Sequence, residues 1–209
     1  VEFNLYANQA QMDIFEQYFY DLNVFHRTPG NETRHSDMVD ILEEKISIFD
    51  RFQQAVTMTG TNGLGTLPAH YRLGSLHFNT GTRFVEIEHI NLQELNQIVN
   101  SPLTTPTTER PIYIKRGELA ITCYPTAGIN DNVTCDFIAR PARVIWNYTT
   151  VLNAPQYTAT GSVYFELHAS EETELIIKIL ALAGIELRQT DLYQIAKQEE
   201  GQNVQQETR

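Results

Sequence analysis

The 209 residues carry 26 acids against 15 bases, a net charge of −11, with 42% hydrophobic and 20% charged residues. That is enough chain for a core without disulfide staples, and its charge argues against a nonspecific nucleic-acid binder, which sets clustered Lys and Arg against phosphate. No apolar run approaches the roughly 20 residues that cross a bilayer. The opening VEFNLYANQAQ lacks the basic and apolar regions of a secretion signal, so the expected setting is the cytosol. Residues 1–78 and 151–209 each hold a net −5 and residues 79–150 only −1, which reads as solvated acidic helices flanking a nearly neutral middle.

Leu5 to Phe25 reads as a helix, with Ile14, Phe15, Tyr18, Phe19 and Leu22 on one face. Aromatic stripes are ordinarily core, yet tyrosine at a helix edge also suits subunit contacts, and Tyr18, Phe19 and Tyr20 are candidates for an interface. Pro29-Gly30-Asn31 breaks the pattern. A second helix is expected after Ser36, with Val39, Leu42, Ile46 and Phe49 inward, closing a helix hairpin.

From Arg51 the period becomes two. Strands are expected over Phe52–Met58, Tyr71–Phe78 and Phe84–Ile87, with turns at Gly60–Gly65 and Asn79-Thr80-Gly81. His89 to Asn100 suits a short helix with Leu92, Leu95, Ile98 and Val99 on one side, and SPLTTPTTERP (101–111) is an exposed loop or extended arm because its prolines lack donors. Pro111 to Arg140 reads as strands in which Cys123 and Cys135 lie symmetrically about Ile129. Simple hairpin pairing sets the two cysteines opposite each other, where a disulfide is conceivable, although buried thiols are the expectation in a chain without a secretion signal. Tyr148 to Thr160 is a polar connector.

Gly161 to Gly184 reads as a strand delivering the chain into an amphipathic helix. Ser170 is the expected N-cap, Glu171, Glu172 and Glu174 load the first turn, and Gly184 is the expected C-cap. Leu175, Ile176, Ile179, Leu180 and Ala183 make the inward stripe, while Ile177 and Leu182 widen the apolar surface toward a neighbouring chain. Thr190 begins a short last helix with Leu192, Ile195 and Ala196, and 198–209 is a polar tail that needs a partner to order.

The six histidines lack metal-ligand spacing; His70 is the one to inspect, and a structural role is expected for it. Nucleophile-elbow, phosphate-loop and dinucleotide motifs are missing, and Glu86 and Glu88, on one face of a strand, match a glycosidase pair no better than an ordinary surface strand. The expectation is a protein without enzymatic activity, with no catalytic, cofactor-binding or metal-binding residues.

The helix hairpin, LPAHY before a strand, RPIYIKRGELAITCYP after the Thr/Pro loop, ARPARVIW, and FELHASEETELIIKILALAGIELRQTDLYQIAKQEE together resemble the head-to-tail connector proteins of short-tailed bacteriophages, most of all those of crAss-like phages. The resemblance spans most of the chain and implies an α+β fold. In it a helical bundle is interrupted by a β-rich insertion: helix hairpin 1–50, insertion 51–160, closing helices 161–197 and tail 198–209. It further implies a virion structural protein of the neck or tail, made in the host cytoplasm. Such a protein forms rings of twelve between portal and tail, needs no cofactor and no membrane, and lets genomic DNA pass without specific binding. Subunit contacts are then expected at Tyr18, Phe19, Tyr20, Ile177 and Leu182, and contacts to rings above or below at Thr104, Thr105, Pro106, Gln205 and Gln206. The alternative from another class is a tail component that binds carbohydrate or a cell surface through Tyr113, Tyr124, Trp146 and Tyr148.

Overall fold

A computed structural model describes residues 2–27, 33–60, 62–186 and 198. It has an α+β fold divided into two units, Val1–Ile48 with Pro141–Arg209, and Phe49–Arg140. The β-rich insertion thus ends near Arg140, and the stretch expected to continue it to 160 belongs to the helical unit. The expected last helix at 190–196 and the tail, with Gln205 and Gln206, lie outside the described residues apart from Gln198.

In the helical unit, Glu2–Arg27 forms α1, uninterrupted by Gly or Pro, with Glu2 in its first turn and His26 and Arg27 in its last, as the helix dipole favours. It buries Ala7, Ala10, Gln11, Ile14, Phe15 and Tyr18, and the two alanines let neighbouring backbone come close. Helix α2, Thr33–Ser47, starts ahead of Ser36 and buries Leu42 and Ile46. Helix α4, Glu172–Glu186, packs with α2 against α1.

Two details of α4 differ from expectation. A 3-10 turn, Ala169–Glu171, leads into it, and His168 is the cap, its Nδ1 accepting the Ser170 N–H at 3.2 Å. Ser170 instead donates its hydroxyl to Glu171 at 3.0 Å. Gly184 does not end the helix; it is buried within it.

The other unit is a mixed sheet of eight strands in the order β1-β8-β4-β5-β6-β7-β3-β2. The strands are β1 Asp50–Ala55, β2 Thr57–Thr59, β3 Leu64–Thr66, β4 Arg72–Asn79, β5 Phe84–His89, β6 Ile112–Lys115, β7 Ala120–Tyr124 and β8 Val133–Ile138. Neighbours are antiparallel except β5 and β6, whose parallel pairing requires the crossover that carries α3, Leu92–Asn100. The two ends of this order, β1 and β2, are separated in sequence only by Val56, whose N–H still reaches the Val133 carbonyl at 2.9 Å. One bent strand therefore serves both margins and draws the sheet into a near-barrel, which removes most exposed edge. Val56, Leu67, Leu76, Phe78, Ile87, Ile121, Ile129 and Val133 belong to its core.

The expected pairing of β7 with β8 does not form. β7 lies between β6 and β3, and β8 between β1 and β4, so Cys123 and Cys135 are not cross-strand neighbours. Both are free and fully buried in the same core. Burial pushes the Cys123 thiol up to about 12 and the Cys135 thiol up to about 11, from an ordinary 9.0. Ionisation is then easier in the unfolded chain, so stabilisation present below pH 9 is lost as pH rises toward 11 and 12. Both thiols are expected to resist a disulfide reagent at pH 8 until denaturant is added. Immediate labelling of the native chain would contradict this burial.

Gly63 turns β2 into β3 at φ +66°, and a Cβ there would lie 2.2 Å from the Cys123 carbonyl oxygen. Gly63→Ala is expected to cost at least about 2 kcal/mol, because strain and overlap act together at a backbone atom that cannot step aside. A midpoint for unfolding of this unit that stays at the wild-type value would refute it.

Candidate functional site

Asn4, Asn8 and Gln11 stand at i, i+4 and i+7 on one face of α1, and each hydrogen-bonds to an alternate residue of the segment that follows the insertion. Asn4 accepts from the Trp146 N–H at 2.9 Å, and Asn8 accepts from the Val144 N–H at 2.8 Å while donating to its carbonyl at 2.9 Å. Gln11 donates to the Ala142 carbonyl at 2.8 Å and accepts the Glu166 N–H at 3.2 Å; Glu166 in turn accepts the Ala142 N–H at 2.7 Å. Three carboxamides thus replace a neighbouring strand. The spacings nearly match: seven residues of helix rise about 10.5 Å and four residues of strand about 13 Å, and the longer side chain of Gln11 takes up the difference. On the opposite edge of the same segment, Ile145 and Val163 exchange backbone bonds at 3.1 and 2.9 Å.

This ladder holds Trp146 at the root of a hairpin that sequence reading takes for a connector. β9, Tyr148–Val151, pairs with β10, Ala154–Tyr157, across Leu152 and Asn153, both at positive φ, the geometry that matches strand twist. Trp146, Tyr148 and Tyr157 share one face. The indole stacks on Tyr148 at 5.5 Å and on Tyr157 at 6.4 Å, and meets Phe3 edge-on at 6.3 Å. The Tyr157 and Tyr164 hydroxyls lie 3.1 Å apart. All eight strand residues are exposed, and Leu152 at the tip is 98% exposed.

The helices leave a second apolar surface. Helix α4 is apolar around most of its circumference, and the stripe left open is not the expected one. Ile177 and Leu175 are buried in the unit's own core and Leu182 is half-buried, whereas Ile176 and Leu180 are 51% and 44% exposed. On α1, Tyr18 is buried and Phe19 packs edge-on against Phe15 at 5.1 Å, so Tyr20, 70% exposed, is the expected contact residue that faces outward. The burial of Tyr18 and Ile177 removes both from the surface that this unit offers a neighbour. Lys45 stands over the Tyr18 ring, 5.7 Å from its centre, and pairs with the buried Glu171.

In the sheet unit, the Thr/Pro loop is a folded cap for α3. Thr104 donates its hydroxyl to the Ile98 carbonyl at 3.1 Å, and Thr105 donates its own to the Ser101 carbonyl at 2.6 Å, satisfying groups that a helix end leaves open. Thr104 and Thr105 are exposed; Pro106 is buried and unavailable to another ring. Beneath lies an open cavity of about 980 Å³ whose lining includes Glu86, Glu88, Glu94 and Glu109. Glu109 is paired with Arg83. Of the aromatics considered for sugar binding, Tyr113 is buried and Tyr124 half-buried, which leaves Trp146 and Tyr148. His70 shares a hydrogen bond with the Pro68 carbonyl at 2.9 Å and sits against Phe137, a structural role. Among the described residues, no group of three or more His, Cys, Asp or Glu could hold a metal ion, and no helix is long and apolar enough to cross a membrane.

No family model and no curated protein matches this chain.

Proposed function

We propose that this chain is a virion structural protein, a ring-forming connector between portal and tail through which the genome passes. The observation that carries the reading is the apolar stripe of α4, where Ile176 and Leu180 remain half exposed on a helix that is apolar around most of its circumference. Tyr20 on α1 adds an aromatic of the kind that interfaces favour. Subunits of a closed ring need two such complementary flanks. The net −11 suits a wall that repels phosphate and lets DNA slide without capture. The role is structural, without cofactor or membrane partner, in the neck or tail of a particle made in the host cytoplasm. Its neighbours are portal and other ring proteins, reached in part through Thr104 and Thr105.

Sedimentation and electron microscopy of the purified chain, alone and mixed with portal, test this. Rings of about twelve copies are expected, and a chain that stays monomeric in both preparations overturns the reading. The stacked, exposed Trp146 and Tyr148 favour a second reading, a tail component that binds carbohydrate. A glycan array separates the two, because a connector is expected to bind none of the sugars.

A further inference from the structure

The hairpin and the segments that flank it form the most conspicuous neutral stretch of an acidic protein. Residues 144–165 contain no Asp, Glu, Lys, Arg or His, in a chain with 26 acids and 15 bases. They contribute instead Trp146, Tyr148, Tyr157 and Tyr164, with Thr, Asn, Gln and Ser between them. Rigid aromatic area interleaved with small hydrogen-bonding side chains is the chemistry of protein-binding surfaces. An isolated two-stranded hairpin is marginal in water, yet this one is fixed at its root. Asn147 donates its N–H to Ser162 at 3.1 Å and its side-chain amide to the Thr160 carbonyl at 2.8 Å, and Asn4 holds Trp146. A projecting element held in one conformation loses little entropy on docking.

We infer that this hairpin docks on a second copy of the chain, its Trp146, Tyr148 and Leu152 covering the Ile176–Leu180 stripe of the neighbour's α4. The inference rests on the ring reading and names the contact that would build the ring. Two considerations select a second copy. Chains of net −11 repel one another, and contact costs least where one side carries no charge. The partner surface is also present on the same unit: the stripe is apolar, and beside it lies exposed Glu172, an acceptor for the tyrosine hydroxyls of an acid-free hairpin. Hairpin and stripe are both exposed in one chain, so a chain does not cover its own stripe with its own hairpin. The contact is head-to-tail, the kind that generates rings.

The full-length chain tests this by sedimentation velocity over a concentration series, with Leu152→Asp and Leu180→Glu as variants. Both sites are exposed, so folding should survive, which circular dichroism checks. Each variant is expected to weaken self-association about tenfold or more. Disulfide trapping gives a second measurement that does not depend on variant stability. Leu152→Cys chains mixed with Leu180→Cys chains should form a covalent heterodimer, and neither should cross-link alone. Wild-type rings that persist unchanged in both charged variants overturn the docking and leave the ring reading standing. Self-trapping of Leu152→Cys overturns it in favour of hairpin-to-hairpin pairing, and sugar binding lost in Trp146→Ala overturns it in favour of a glycan. A wild-type chain that never associates, alone or with portal, removes both readings.

Discussion

Gln11→Leu is expected to destabilise the helical unit by about 3 kcal/mol, although leucine is well tolerated in helices and close to glutamine in size. Gln11 is only 1% exposed, and its amide serves both the Ala142 carbonyl and the Glu166 N–H. Leucine leaves two partly buried backbone groups without partners at about 1–3 kcal/mol each, and the lower half of that range applies because water reaches both residues in part. Trp146 is the sole tryptophan and belongs to the same unit, so its fluorescence during urea unfolding reports this unit directly. A loss under about 0.5 kcal/mol would mean that the carboxamide ladder is incidental. Gln11→Glu should be nearly as damaging at neutral pH, since a carboxylate cannot donate to the Ala142 carbonyl and would face Glu166.

Glu171→Ala is the other large effect, with an expected loss of about 2–3 kcal/mol. Glu171 is buried, accepts the Ser170 hydroxyl, and pairs with Lys45, whose side chain is itself mostly covered, at 21% exposure. Removing the carboxylate strands a cation above the Tyr18 ring. The residual exposure of Lys45 lets water recover part of the charge's solvation, which is why the loss falls short of the 3–5 kcal/mol typical of fully enclosed pairs. The double variant Lys45→Met, Glu171→Leu is expected to regain most of the stability, because two well-packed apolar side chains carry no desolvation cost. A thermodynamic cycle over the four proteins measures the coupling. If the double variant loses as much as the sum of its single variants, the pair is uncoupled and the explanation fails.

Helix α1 was legible because Ile14, Phe15 and Tyr18 recur at a spacing that only a helix brings together, and Ile14, Phe15 and Tyr18 are all buried as that face predicts. In α4 the same rule found the helix but not its orientation. With Leu175, Ile176, Ile177, Ile179 and Leu180 nearly continuous, periodicity cannot say which stripe its own core takes. The strands β4 and β5 announced themselves by alternation and the Asn79-Thr80-Gly81 turn, and their antiparallel pairing follows. Closure of the sheet was not readable, because it depends on Val56 joining two distant margins, a nonlocal event without local grammar. The β9–β10 hairpin is illegible in the sequence for a different reason. Its strands alternate nothing apolar, and Leu152 occupies a left-handed conformation ordinarily left to Gly or Asn. The candidate surface has one signal in the sequence: the spacing of Asn4, Asn8 and Gln11 puts three carboxamides on one helical face, an arrangement suited to reading a backbone rather than water.

The strands that open and close the β-rich unit pair with each other, Asp50 beside Ile138, and Ala139 donates its N–H to the Phe49 carbonyl at 2.8 Å. The unit is therefore a cassette with a clasped neck, its two chain ends meeting side by side. Two cuts and a short splice would suffice to lift it out or exchange it, since the helical frame need only receive ends that are already adjacent. Chains that share the frame could carry unrelated cassettes at this position without disturbing the packing of the helices.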